Sequence, residues 1–195
     1  MTTIAADPEL LERLIGLVRS SPETMDALRL VRSLRLQSWC IGAGAVRALV
    51  WDALHDRPST LTGQDVDVAF FDRNVPARCD AALEDRLRSA MPALAWEVTN
   101  QAWVHHWFAA TLGQAVAPLD SLEDGLATWP EYATCVGVSL GDDDRVGVVA
   151  PHGLDDLFAL RVRHNPARAS LTTYRERVRT KRFEERWPKL SILDR

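Results

Sequence analysis

The chain has 195 residues, 47% hydrophobic and 26% charged, with a net charge of −4; this is the composition of a globular protein with a sizeable core, and it excludes a disordered or fibrous chain. No apolar run reaches the roughly 18 residues of a membrane span, and the opening Met-Thr-Thr-Ile-Ala-Ala-Asp lacks a basic segment leading into an apolar core, so neither a membrane partner nor a secretory signal is expected. Cys40, Cys79 and Cys135 are odd in number and fit no metal spacing or disulfide framework; they read as buried thiols of a cytoplasmic protein.

The first predicted element is a helix over 8–18, with Leu10, Leu11, Leu14, Ile15 and Val18 at helical spacing. Ser21-Pro22 starts a second helix, serine capping and proline in the first turn. A short strand over 38–41 runs into a glycine turn at Gly42 to Gly44, then a helix over 45–54. A loop over 55–63 precedes a strand over 66–71, a helix over 77–91 and a strand over 96–99. Further on, 121–128 reads as a short helix, 133–140 and 146–149 as two strands joined at Gly141, and 153–160 as a helix. The last predicted element is a basic helix over 171–187. Strands interleaved with helices argue for a mixed α+β fold: a mixed β-sheet flanked by helices, with N-terminal helices and a C-terminal helical tail. The chain divides into a helical segment 1–37, a core 38–160 and a tail 161–195 within one domain of 1–195.

Charge is unevenly placed. From Arg161 to Arg195 there are 11 Lys/Arg against 4 Asp/Glu, so a tail of +7 is joined to a body of −11. Such asymmetry fits either a basic face packed on an acidic body or a polyanion-binding end. Arg175, Arg179 and Arg182 fall on one predicted helix face.

The chemistry concentrates at Asp65-Val66-Asp67-Val68. In a strand, residues i and i+2 share a face, so Asp65 and Asp67 project together while Val66, Val68 and Phe70 face the other way. Two adjacent carboxylates repel unless a cation lies between them. Mg²⁺ suits such oxygens and keeps open positions for phosphate. The glycine turn at a helix start offers backbone N–H groups to an anion, and Gly42 and Gly44 let backbone approach it closely. Arg47, one helical turn on, can pair with phosphate or with a carboxylate such as Asp52.

Taken in order, Gly44-Ala45-Val46-Arg47 with Trp51-Asp52, Asp65-Val66-Asp67-Val68-Ala69-Phe70-Phe71-Asp72, Trp96-Glu97-Val98-Thr99-Asn100-Gln101, Ala150-Pro151-His152-Gly153-Leu154-Asp155-Asp156-Leu157 and Trp187-Pro188-Lys189-Leu190 resemble an uncharacterised bacterial nucleotidyltransferase-like family of the polymerase-beta superfamily. The Gly-x-Val-Arg piece also resembles the opening of enzymes that add nucleotides to transfer RNA ends. The resemblance implies a nucleotidyltransferase-like fold and Mg²⁺-dependent transfer of a nucleoside monophosphate from a nucleoside triphosphate to an unknown acceptor: a small molecule, a protein or an RNA. It implies Asp65, Asp67 and Glu97 as catalytic and metal-holding residues, and Gly42, Gly44, Arg47 and Asn100 as nucleotide-binding residues. The family pattern has glycine followed by glycine or serine before the helix; here the pair is Ala43-Gly44 and the phosphate-touching serine is absent. That departure motivates the alternative, a catalytically inactive nucleotide-binding or partner-binding module with the same fold.

Overall fold

The computed structural model describes residues 7–112 and 115–193. Two helices open it, α1 (Pro8–Ser20) and α2 (Pro22–Ser33). Each starts where a side chain satisfies a free backbone N–H: Asp7 accepts from Glu9, and Ser21 accepts from Thr24. Strand β1 (Trp39–Gly42) leads directly into α3 (Ala43–Leu54), then come β2 (Asp65–Phe70), α4 (Asp80–Ala90), β3 (Ala95–Asn100), α5 (Val104–Leu112), α6 (Leu122–Ala127), β4 (Gly137–Leu140) and β5 (Val146–Val149). The chain continues through α7 (Asp155–Phe158), β6 (Arg161–Arg163), α8 (Leu171–Lys181), α9 (Phe183–Arg186) and β7 (Ser191–Leu193).

Five strands form a mixed sheet in the order β3-β2-β1-β4-β5. Only β2 and β3 run parallel; the other neighbours are antiparallel. The period of two sorts side chains between the faces. Ile41, Val66, Val68 and Phe70 enter the main core with Leu14, Leu28, Val46, Val50 and Trp51. Cys40 and Ala69 turn to the opposite face and meet Leu122 and Leu126 of α6. Asp65 and Asp67 share the parity of Ala69, so they stand on this second face. Helix α3 is not amphipathic: nine consecutive residues from Gly44 to Asp52 are buried, as expected of a helix covered on all sides.

The tail differs from the expected single helix. Helix α8 stops at Lys181 because Arg182 takes a left-handed conformation, φ 50°. The chain then turns through α9 and ends in β7, which pairs in parallel with β6. Neither β6 nor β7 is anticipated by the sequence reading, nor is α5. Residues 132–134 form a single 3-10 turn where a strand was expected to begin. Phe183 and Trp187 are fully buried in the main core, so the tail is docked on the body. Burial also disposes of two thiols: Cys40 and Cys135 are pushed up to about 12 and stay protonated.

Candidate active site

The parallel pairing of β2 and β3 sets Asp67 directly opposite Glu97 and Asp65 opposite Ala95. Strand β3 alternates strictly, with Trp96, Val98 and Asn100 buried and Ala95, Glu97 and Thr99 exposed. Glu97 therefore stands on the same face as the two aspartates, one strand spacing from Asp67, about 4.8 Å between backbones. Burial first, then Glu97 and Asp65, push the Asp67 carboxyl up to about 6; the Gly44 N–H and Arg47 work against them. A divalent cation would relieve the part of this shift that comes from the neighbouring carboxylates.

Gly44 packs closely against the aspartate strand. A Cβ there would lie 3.2 Å from the Asp65 carbonyl oxygen and 3.8 Å from Asp67 Oδ2. Just before it, Ala43 holds φ 45°, a left-handed conformation that costs an L-residue with a Cβ about 1–2 kcal/mol. A glycine at this place would have no such penalty.

Arg47 is 7% exposed, and its Nε is buried without a hydrogen-bond partner. Among the described residues it forms no ion pair. Its guanidinium lies 4.8 to 5.5 Å from the ring centres of Phe183, Trp51 and Trp187. Burial, and secondarily Arg177 and Arg186, lower its pKa to about 10 against the pull of Glu131 and Asp67; it remains charged at neutral pH. The expected salt bridge to Asp52 is not made. Asp52 instead accepts from Trp187 Nε1 at 2.7 Å and meets Arg186 at 3.5 Å.

The basic tail faces these acids. Lys181 Nζ is 2.7 Å from Asp65 Oδ2. Arg177 is held by the fully buried Glu131, with Nε 2.9 Å from Oε1 and Nη2 3.4 Å from Oε2. Burial works against the charged Arg177, but Glu131 and the aspartates outweigh it and raise its pKa. Arg177, Lys181 and Arg186 line a cavity of about 530 Å³ together with Gly44, Arg47, Asp65, Asp67 and Glu97. The sequence reading singled out the Arg175, Arg179, Arg182 face. The α8 residues that meet the site are Arg177 and Lys181, with Tyr174 buried one turn earlier as the anchor; an aromatic three residues before Arg177 is the available signal. Glu131 carried no sequence signal.

Two expected residues are placed differently. Gly42 does not line the cavity: a Cβ there would come within 2.7 and 2.9 Å of the Trp129 ring and 3.0 Å of the Val136 carbonyl, so its lack of a side chain admits Trp129. Asn100 uses its amide inside the protein. Nδ2 donates to the carbonyls of Asp72 and Val75, and Oδ1 accepts from the N–H groups of Asp72 and Ala102. No free donor or acceptor is left for a nucleotide.

The chain thus has a mixed sheet that brings three carboxylates together on one face, with a glycine turn and a cationic helix at their side. This is the fold of a nucleotidyltransferase head domain: an NMR structure described as revealing a CCA-adding enzyme head domain superposes with a TM-score of 0.81 at 28% identity, over 93% of this chain and 95% of that one. A family model described as Nucleotidyltransferase matches residues 29–192, and the chain belongs to that family. A CCA-adding enzyme in complex with CTP shares the fold at a TM-score of 0.52 and 13% identity, over 99% of this chain and 44% of that one. No curated protein matches the chain.

Asp65, Asp67 and Glu97 offer only hard oxygen donors on one face of the sheet, so the chemistry of the set suits Mg²⁺. Among the described residues no three His, Cys, Asp or Glu side chains already converge on a metal position; Asp65 is engaged by Lys181. No described helix is long and apolar enough to cross a membrane.

Proposed function

We propose that the protein transfers a nucleoside monophosphate from a nucleoside triphosphate to a hydroxyl acceptor. The observation that carries this reading is Arg47: a buried guanidinium with no acidic partner, opening on a cavity that also holds Asp65, Asp67 and Glu97. Three aromatic rings and the fields of Glu131 and Asp67 offset part of the cost of its burial, and an anionic ligand would offset more of it. Arg47, Arg177, Lys181 and Arg186 bind the triphosphate, and Gly44 leaves room beside it. Asp65, Asp67 and Glu97 would hold Mg²⁺, which when bound neutralises charge on the phosphates. The acceptor oxygen forms a bond to the α-phosphorus. The bond from that phosphorus to its bridging oxygen breaks, and pyrophosphate leaves with the electron pair. Glu97, at the edge strand, takes the hydroxyl proton. Catalysis here is positioning and charge neutralisation.

A second reading is a nucleotide-binding module without transfer. The Lys181–Asp65 ion pair favours it, since an ammonium stands where a metal would draw a carboxylate oxygen. The two are separated with α-³²P-labelled triphosphates, Mg²⁺ and fractionated cell extract. Label transferred to an acceptor, with release of pyrophosphate, supports the first reading. Saturable binding with no transfer in any fraction supports the second.

A further inference from the structure

A second cavity, of about 920 Å³, adjoins the first. Both are lined by Asp67, Glu97 and Arg177, and chain order places them on opposite sides of that waist. Along β2, Asp65 lines the cationic cavity, Asp67 both, and Ala69 the second; along α8, Lys181 lines the first, Arg177 both, and Thr173 the second. Nucleotidyl transfer needs attacking and leaving oxygens roughly in line across the α-phosphorus. With pyrophosphate leaving into the cationic cavity, the attacking hydroxyl enters from the second one.

The walls of that second cavity are aromatic: Trp103, Trp107, Phe108 and Trp129. Trp107 is 54% exposed. Its charged lining is Asp67, Asp80, Glu97, Arg168 and Arg177, three acids against two guanidiniums, and Arg177 is shared with the cationic cavity, where it serves the triphosphate. Asp80 Oδ1 and Arg168 Nη1 both lie behind the wall, closed off from the cavity and without a hydrogen-bond partner. A polynucleotide end would need cations to neutralise its phosphates, and this lining does not supply them. The volume is that of a small-molecule pocket, and aromatic walls favour a flat ring or a cation over it.

We infer that the acceptor is a small phosphate-free molecule with a flat ring, set among the aromatic walls, and a hydroxyl that reaches Glu97. This rests on the nucleotidyl-transfer reading above.

The test uses tyramine and 5-hydroxytryptamine as probes, followed by the indole N–H NMR signals of the full chain, with Mg²⁺ and α,β-methylene-ATP or -CTP titrated separately and together. The expected result is saturable probe binding near about 1 mM or tighter that shifts the Trp103 and Trp107 signals and persists with the triphosphate analogue bound. Trp107→Ala, and Thr99→Phe at an exposed position on the cavity floor, should each weaken the probes by about tenfold or more without weakening the analogue. The inference is overturned if neither probe binds while the analogue does. It is also overturned if the analogue displaces the probes, making this the nucleoside's own pocket, or if a short single-stranded RNA displaces them with steep salt dependence. Probes bound by a protein that ignores the analogue contradict the nucleotidyl-transfer reading itself and remove this inference with it.

Discussion

Asp67 on β2 and Glu97 on β3 are in-register neighbours across the one parallel strand pair of the sheet. Like charges placed so are destabilising without a cation between them. The native state binds the Asp67 proton more tightly than the unfolded chain, at about 6 against 3.8. Stability from this group is therefore full below about pH 4 and is lost as pH rises through about 6, a total difference on the order of 3 kcal/mol. Asp67→Asn should raise the melting temperature at pH 7.5 and leave it unchanged at pH 4. Calorimetry at the two pH values checks this; equal effects at both would remove the electrostatic explanation.

Lys181 and Asp65 form a half-exposed pair, and such pairs contribute about 0–1 kcal/mol. Lys181→Ala should leave the melting temperature nearly unchanged. It should strengthen Mg²⁺ binding by releasing a carboxylate oxygen, and weaken triphosphate binding by removing a cation. A Mg²⁺ titration that shows no gain would mean that the lysine does not compete with the metal.

Arg47→Met keeps the bulk of a buried side chain and removes its charge. The protein should be as stable as before or more so, because the buried guanidinium lacks a carboxylate partner. Triphosphate affinity should fall by about 10- to 100-fold, the loss of a charged hydrogen bond. Strong destabilisation with intact affinity would make Arg47 a structural residue.

Trp187 is 1% exposed and donates to Asp52. Trp187→Ala should cost about 3–5 kcal/mol, and truncation before Arg182 should cost at least as much. A truncated chain with an unchanged melting temperature would show that the docked tail carries no stability.

Ala43 holds φ 45° at the head of α3. Ala43→Gly should be neutral to stabilising, by up to about 1 kcal/mol, after the entropy of glycine in the unfolded chain is offset. Loss of stability would mean that the Ala43 methyl packs more favourably than its backbone is strained.

Local pattern made much of this legible. The alternation around Asp65 and Asp67 assigned both to one face, and Ser21-Pro22 marked the start of α2. Glu97 was reached through a motif order, and the β2–β3 register then set it beside Asp67. What was not legible depended on contacts distant in sequence. Gly42 looks like a phosphate turn until Trp129, many residues later, fills the space. Asn100 looks available until the loop after β2, with the N–H of Ala102, takes all of its side-chain hydrogen bonds. Strands β6 and β7 are three residues each, too short for a period, and exist only because they pair. The left-handed turn at Arg182 is occupied by a residue that does not advertise it. Arg177 was hidden among other basic residues because only packing of Tyr174 fixes which face of α8 turns inward.

The most direct measurement of the central claim is calorimetric titration of Mg²⁺ with an α,β-methylene nucleoside triphosphate into the wild-type chain and the Asp65→Asn/Asp67→Asn variant. The account predicts saturable, Mg²⁺-dependent binding to the wild type and loss of that binding in a variant that still folds. Unchanged affinity in the variant, or binding to the wild type that is indifferent to Mg²⁺, would contradict it.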